Sequence, residues 1–367
     1  MSELTRRDVL RGAGALAGAT ALTSSATVLA APTATADTAG AATVGEGTNI
    51  SASVSPDGRH VAFDLVTAIW TVPITGGAAR RLTTDDTDAT QPSWSPDGRS
   101  LVFQAYRDGN YHVYTVHPDG SGPRQLTSGP YDHREPRFSP DGRTVAFSSD
   151  LGGSYGVHTL DVATGAVTAR TDTAADEAMP AWSRDGRRLA YTVDSTAIDV
   201  LDLSTGAVVR AVTAPAGTTL FGPSFSPDGV LAYVRIAGAT AELVVGERVV
   251  SAPGEDVFAF AASWLSATEL LHTADGVLKR RGLDGSVSVV PFAAAVPVLP
   301  RPRYHRAVRD LDSTREQRVL GIASPVASPD GTRVAFRALN ALWLLRIGDA
   351  RPTRLVAVGF FNSDPDF

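Results

Sequence analysis

The sequence predicts an all-β protein: a β-propeller of about seven four-stranded blades, with six blades or an incomplete eighth as the alternative counts. Three observations predict it. A Ser-Pro-Asp-Gly phrase begins at Ser55, Ser95, Ser139, Ser183 (as Ser-Arg-Asp-Gly), Ser226 and Ser328. The first five are 40, 44, 44 and 43 residues apart, and the sixth follows after 102. Self-similarity at this period marks a propeller or solenoid. Between the phrases, short apolar-polar alternations replace any helical periodicity. Finally, 34 glycines and 23 prolines with 7% aromatic residues suit short strands joined by tight turns.

The elements follow in chain order. Residues 1–36 read as an export signal. Arg6 and Arg7 form a twin-arginine pair, residues 12–31 carry no charge, and Ala34-Thr35-Ala36 offers small residues for cleavage after Ala36. This pattern resembles a twin-arginine signal peptide, which carries folded proteins across a membrane. The places this implies are the periplasm or the exterior, with no membrane span after cleavage. Residues 37–49 read as a linker, and residues 50–367 as the propeller.

Residues 92–127 show one blade. "PSWS" is a short strand and "PDGR" a turn; "SLVFQAY" and "YHVYTVH" alternate as half-buried strands; "PDGSG" is a second turn and "PRQLTS" a fourth strand. In the turn, Pro presets φ, Asp hydrogen-bonds the local backbone and Gly supplies φ > 0. Asp57, Asp97, Asp141, Asp185, Asp228 and Asp330 are therefore read as turn formers and not as an acidic site. Inside the long gap, "FAASWLSATELLHT" keeps the rhythm without the turn, with Trp264 where Trp94, Phe138, Trp182 and Phe225 stand in other units. Residues near 297–318 read as an insertion, and "SDPDF" at the end resembles the lead-in to one more unit.

The unit "QPSWSPDGRSLVFQAYRDGNYHVYTVHPDGSGPRQLT" resembles the WD-like repeat of TolB-type propellers, and the resemblance recurs from about Ile50 to the end. It implies a propeller scaffold. TolB proper has six blades and an additional N-terminal domain. The stretch from "VPFAAAV" to "SPDGTRVAFRALNALW" resembles the propeller part of exported proteins that continue into a metal-dependent amidohydrolase domain. That second resemblance supports an alternative identity, the truncated propeller of such a protein without its catalytic domain. None of that family's metal ligands can be carried over: it needs a His-x-His, and His60, His112, His117, His133, His158, His272 and His305 form none.

Several functions are excluded or disfavoured. A net charge of -6 argues against nucleic acid, whose binders are usually basic. The absence of cysteine excludes disulfides, thiolate ligands and a cysteine nucleophile. "GGSYG" around Ser154 matches a nucleophile elbow in letters only, because it joins two strands and not a strand to a helix. No zinc helix, phosphate loop or dinucleotide fingerprint occurs. No catalytic residues or metal ligands are assigned. No cofactor is expected, with calcium at carboxylates of the channel mouth as the one exception that needs no linear motif. A propeller lactonase or lyase would need converging His and acidic residues, for which the spacing gives no signal.

The variable segments lead into each innermost strand: "DDTDATQP", "GPYDHREP", "AADEAMP", "GTTLFGP", "GEDVFAF" and "GFFNSDP". In a propeller they surround the channel on one face, where a scaffold carries function on loops. Asp88, Gln91, Asp132, His133, Arg134, Glu135, Asp176, Glu177 and Asp364 are the candidate binding residues, with Tyr106, Tyr111 and Tyr155 as aromatic anchors beside them. The bland alternative is solvated loops and blade-to-blade hydrogen bonds. The function expected is an exported, non-catalytic, monomeric propeller that binds a protein, peptide or small ligand on this face.

Overall fold

The structure is a computed structural model that describes residues 40–84, 88–298, 321–339 and 341–356. The chain divides into two units, residues 1–300 and 301–367. Every regular element among the described residues is a strand.

Each repeat becomes a four-stranded antiparallel sheet because its alternating strands are joined by turns too short for any crossover. The Ser-Pro-Asp-Gly turns form as expected. In Asp97, one carboxylate oxygen accepts from the Ser95 hydroxyl at 2.6 Å and from the Arg99 amide at 3.0 Å. The same pair of bonds recurs at Asp57, Asp141 and Asp185. These bonds hold the Asp97 and Asp141 carboxyls below the ordinary value, with the serine hydroxyl the largest cause.

Seven sheets built on such repeats are present among the described residues, the first extended to six strands, and six of the seven lie in the first unit. These blades span residues 52–81, 89–125, 133–169, 177–213, 218–249 and 263–290. Six apolar clusters lie at the six interfaces between successive blades, including the one between the sixth and the first. In that last cluster Phe63 and Trp70 of the first blade share a core with Leu271, Leu278 and Val290 of the sixth. The first unit is thus a ring closed by six blades. The seventh sheet, residues 323–356, belongs to the second unit.

Closure uses two strands outside the repeats. Phe292–Val298 runs parallel to Gly77–Arg81, the outer strand of the first blade, and Gly40–Val44 pairs antiparallel with Phe292–Val298. The chain leaving the sixth blade therefore straps onto the first and covers an edge that would otherwise be open. Part of the stretch read as a linker contributes the outermost strand, because its partner is about 250 residues away and no local pattern reveals it. Of the residues read as an insertion, Pro297 and Val298 end the strap and most of the remainder lies outside the described residues.

The innermost strands carry a repeated irregularity. Gln91, Glu135, Met179 and Gly222 each precede a proline and have φ of 55°, 58°, 56° and 53°. The strand register slips at each of these steps. A bulge at this place re-aims one backbone amide toward the preceding blade. Glycine is required at 222 because a Cβ there would lie 2.4 Å from the backbone of Phe260 and Ala261.

Candidate functional site

The channel of the first unit is built from these bulges. The Gln91 amide donates to Asp64 Oδ2 at 2.7 Å, and the Glu135 amide to Gln104 Oε1 at 2.6 Å. The Met179 amide donates to Glu135 Oε2 at 2.8 Å and to the Ser148 hydroxyl at 3.0 Å. The Gly222 amide reaches Met179 Sδ at 3.2 Å. Each acceptor sits on an earlier blade, so the bulges tie the ring together while lining its axis. Asp64 also accepts from the amide and hydroxyl of Ser51. Burial nonetheless pushes its carboxyl up to about 6, because three donors only partly offset the loss of water.

The space enclosed by the bulge residues is only about 10 Å³, room for about one water at most. The candidate residues around it separate into levels. Gln91 and Glu135 lie at this constriction and are buried. His133 and Glu177 are buried at 4% and 3% exposure, in positions equivalent by the repeat and facing neighbouring blades. Asp88 and Asp176 are exposed on the loops. Asp364, with Arg6, Arg7 and the cleavage point at Ala36, lies outside the described residues.

Asp132 is a tie between blades. It accepts from the Tyr111 amide at 2.9 Å and from the Tyr155 hydroxyl at 3.0 Å. Asp176 accepts weakly from the Tyr155 amide and pairs reciprocally with Asp194. The Arg134 guanidinium lies over the Tyr111 ring at 4.9 Å and also bonds the Tyr155 hydroxyl. Tyr106 meets Tyr111 edge-on at 5.1 Å and is 46% exposed. Burial, with Asp132 adding to it, pushes the Tyr155 hydroxyl up to about 12. Tyr106, Tyr111, Arg134 and Tyr155 thus converge from two blades into one cation-aromatic patch on the loop face.

Two buried polar clusters support these loops. His133 lies 5.5 Å from the His112 ring and 5.3 Å from Phe147, whose other neighbour is His158 at 5.8 Å. Burial pulls His133 down to about 4 and lowers His112, so both are neutral near pH 7. On the segment entering the sixth blade, Glu255 accepts from Arg281 at 2.5 Å, Lys279 at 2.9 Å, His272 at 3.2 Å and the Ala252 amide at 2.8 Å. Its carboxyl is held well below the usual range by those donors, which outweigh its burial. Lys279, the single lysine of the sequence, therefore has a definite place in a buried ionic knot.

The chemistry of these groups is mostly committed to the scaffold. Among the described residues no group of three or more His, Asp or Glu is placed to hold a metal. Asp64 and Glu135 accept several donors each and have Arg137 near them, which does not suit calcium, a cation that takes six to eight oxygens. Ser154 sits in a hairpin turn and donates its proton to the Thr173 carbonyl at 2.9 Å.

The opposite mouth holds what the sequence reading missed. A cavity of about 270 Å³ opens at the other end of the innermost strands. Trp94, Trp182 and Trp264, noticed only as rhythm markers, close its wall. Their indole N–H groups donate to the Ser53 carbonyl, the Arg137 carbonyl and the Ser224 hydroxyl, each on the preceding blade. Arg137 was legible as the one charged residue at the position just before the blade aromatic.

A model of the TolB beta propeller domain matches residues 24–179 and 101–247, together more than half of the chain. TolB from Acinetobacter baumannii is similar in structure at 23% identity, covering 68% of this chain and 57% of that one, with a TM-score of 0.45. A chain of a nidogen/laminin complex is similar at 12% identity, covering 66% of this chain and all of that one, with a TM-score of 0.52; this shows the fold alone. A 59-residue stretch is 36% identical to Tricorn protease homolog 1 of Streptomyces coelicolor, 16% of this chain and 6% of that protein. The chain thus spans little more than half of the Acinetobacter protein and a small part of the protease. By the extent of the family match, the chain belongs to the TolB β-propeller family.

Proposed function

We propose that this propeller is an exported, non-catalytic binding protein that takes a protein or small ligand on its loop face. One observation carries the reading: Tyr106, Tyr111, Tyr155 and Arg134 converge on that face, with Tyr106 exposed over a rigid base. Aromatic and arginine side chains are the commonest anchors of an interface. The residues below the patch are tied into blade contacts, so the anchors are preorganised and lose little freedom on binding. The twin-arginine pair at Arg6 and Arg7 supports export to the periplasm or exterior, and the protein acts there as a monomer without nucleic acid.

The test is affinity capture from the exported fraction with the wild-type chain and with Tyr106→Ala. Loss of an anchor of this kind weakens binding by about 2 kcal/mol or more, so a genuine partner disappears from the variant capture. Equal capture by both proteins, or no specific capture by the wild type, overturns the reading. Replacing Arg6 and Arg7 by lysine should leave the chain inside the cell, measured by fractionation.

A further inference from the structure

The second mouth of the channel has the features of a ligand site that the loop-face reading does not use. Six repeat-equivalent residues, each just before a blade aromatic or its equivalent, line it: Ser53, Ser93, Arg137, Ala181, Ser224 and Ser263. Five are small, and one is a guanidinium in the middle of the ring. No aspartate or glutamate lines the cavity, although the chain as a whole carries a net charge of -6.

The polar groups here are donors. The Arg137 guanidinium has five N–H donors, yet among the described residues its one hydrogen bond is from Nη1 to the neighbouring Pro136 carbonyl at 3.1 Å. No ion pair engages it among the described residues. The Ser263 hydroxyl accepts the Val54 amide at 3.0 Å and the Ser224 hydroxyl accepts the Trp264 indole at 3.3 Å. Each of these hydroxyls therefore keeps its proton to give. Arg137 is half-buried and lines the cavity, so its remaining donors are offered to whatever enters there.

We propose that this axial cavity is an anion site that takes a carboxylate, held by the Arg137 fork and the surrounding serine hydroxyls. A planar carboxylate matches the guanidinium in a two-bond pair. A single negative charge is favoured over a dianion because Glu135 and Asp64 already act on Arg137 from the constriction side. The wall of Trp94, Phe138, Trp182, Phe225 and Trp264 suits an organic body behind the carboxylate. The constriction of about 10 Å³ bars passage through the axis, so the ligand enters and leaves by this mouth. The carboxylate can belong to a small acid or to the C-terminus of a peptide, and the site chemistry is shared by both.

The test is calorimetric titration of the full chain at pH 7 with benzoate, with propionate, with N-acetyl-dialanine, with the amide of that peptide and with inorganic phosphate. Binding of benzoate or propionate alone identifies a small acid, and stronger binding of the peptide acid identifies a chain terminus. In either case the amide should not bind, and phosphate should bind more weakly than the carboxylates. Arg137→Gln should weaken the best carboxylate by about tenfold or more, and Arg137→Lys by less. Ser93→Leu fills the cavity without touching Arg137 and should abolish binding even if Arg137→Gln fails to fold. Tyr106→Ala should bind the carboxylate as the wild type does, which separates this site from the loop face. No binding by any carboxylate, equal binding of the amide, or binding that survives Ser93→Leu overturns the proposal.

Discussion

Two buried polar clusters beneath the loop face solve the same problem in opposite ways. At the interface of the second and third blades, His133 and His112 are stripped of water and remain neutral, packed around Phe147. At the entry to the sixth blade, Glu255 remains charged because Arg281 and Lys279 accompany it into the interior. Both segments look alike in sequence, as polar runs before an innermost strand. The difference lies in what the neighbouring blades supply: aromatic rings in one case, cations in the other. A polar loop residue in this fold is thus decided by its cross-blade partner and not by its own type.

The largest effect should come from breaking the ionic cluster. Glu255→Gln leaves Arg281 buried without its counter-charge and Lys279 with Asp275 alone, and should cost on the order of 3–5 kcal/mol, read as a lower urea midpoint. The double variant Glu255→Gln with Arg281→Met should recover part of that loss, since the stranded charge is removed with its partner. A loss in the single variant below about 1 kcal/mol would place this cluster with surface pairs.

Acid sharpens the comparison through its sign. His133 has a folded value of about 4 against an ordinary 6.5. The unfolded chain therefore takes up the proton first, and stability falls as pH drops from about 6.5 towards 4, by on the order of 1–2 kcal/mol. His133→Phe should flatten melting temperature over that window. Glu255 is depressed from 4.5, so its contribution is fully present above about pH 4.5 and is lost only as pH falls further. Glu255→Gln should not flatten the slope between pH 6.5 and 5; it should steepen it, because buried His272 loses the carboxylate that partly offsets its desolvation.

A smaller effect is expected at the tryptophan ties. Trp182→Phe keeps the ring but leaves the Arg137 carbonyl without its donor, at a cost of about 1 kcal/mol, measured by chemical denaturation. The smallest should come from Lys279→Arg, which keeps the charge facing Glu255 and should change stability by less than about 1 kcal/mol. A larger loss there would mean that the compact ammonium, bridging Glu255 and Asp275, is specifically required.

Much of the fold was legible in the residues. The Ser-Pro-Asp-Gly turns were readable because each is a local device whose partners lie two to five residues apart. The worn unit around Trp264 was readable because one aromatic survived in register. The constriction was not readable, since the left-handed bulges at Gln91 and Glu135 depend on acceptors from another blade. His133 read as a candidate binding residue of the channel-face loops and is buried, because alternation tells which side of a strand a residue faces but not what covers that side. Arg137 stood in plain view among serines, yet its meaning depends on six equivalent positions meeting at one axis.

The sequence alone determined the repeat, the four-stranded blade and the structural role of the turn aspartates, because these rest on short-range geometry and the period of side-chain alternation. The tertiary structure alone decided that six blades close a ring, that Phe292–Val298 straps the sixth to the first, and that the two mouths of the channel differ in chemistry. Those outcomes depend on contacts between residues tens to hundreds of positions apart, where burial and partner identity, and not local propensity, set the energy.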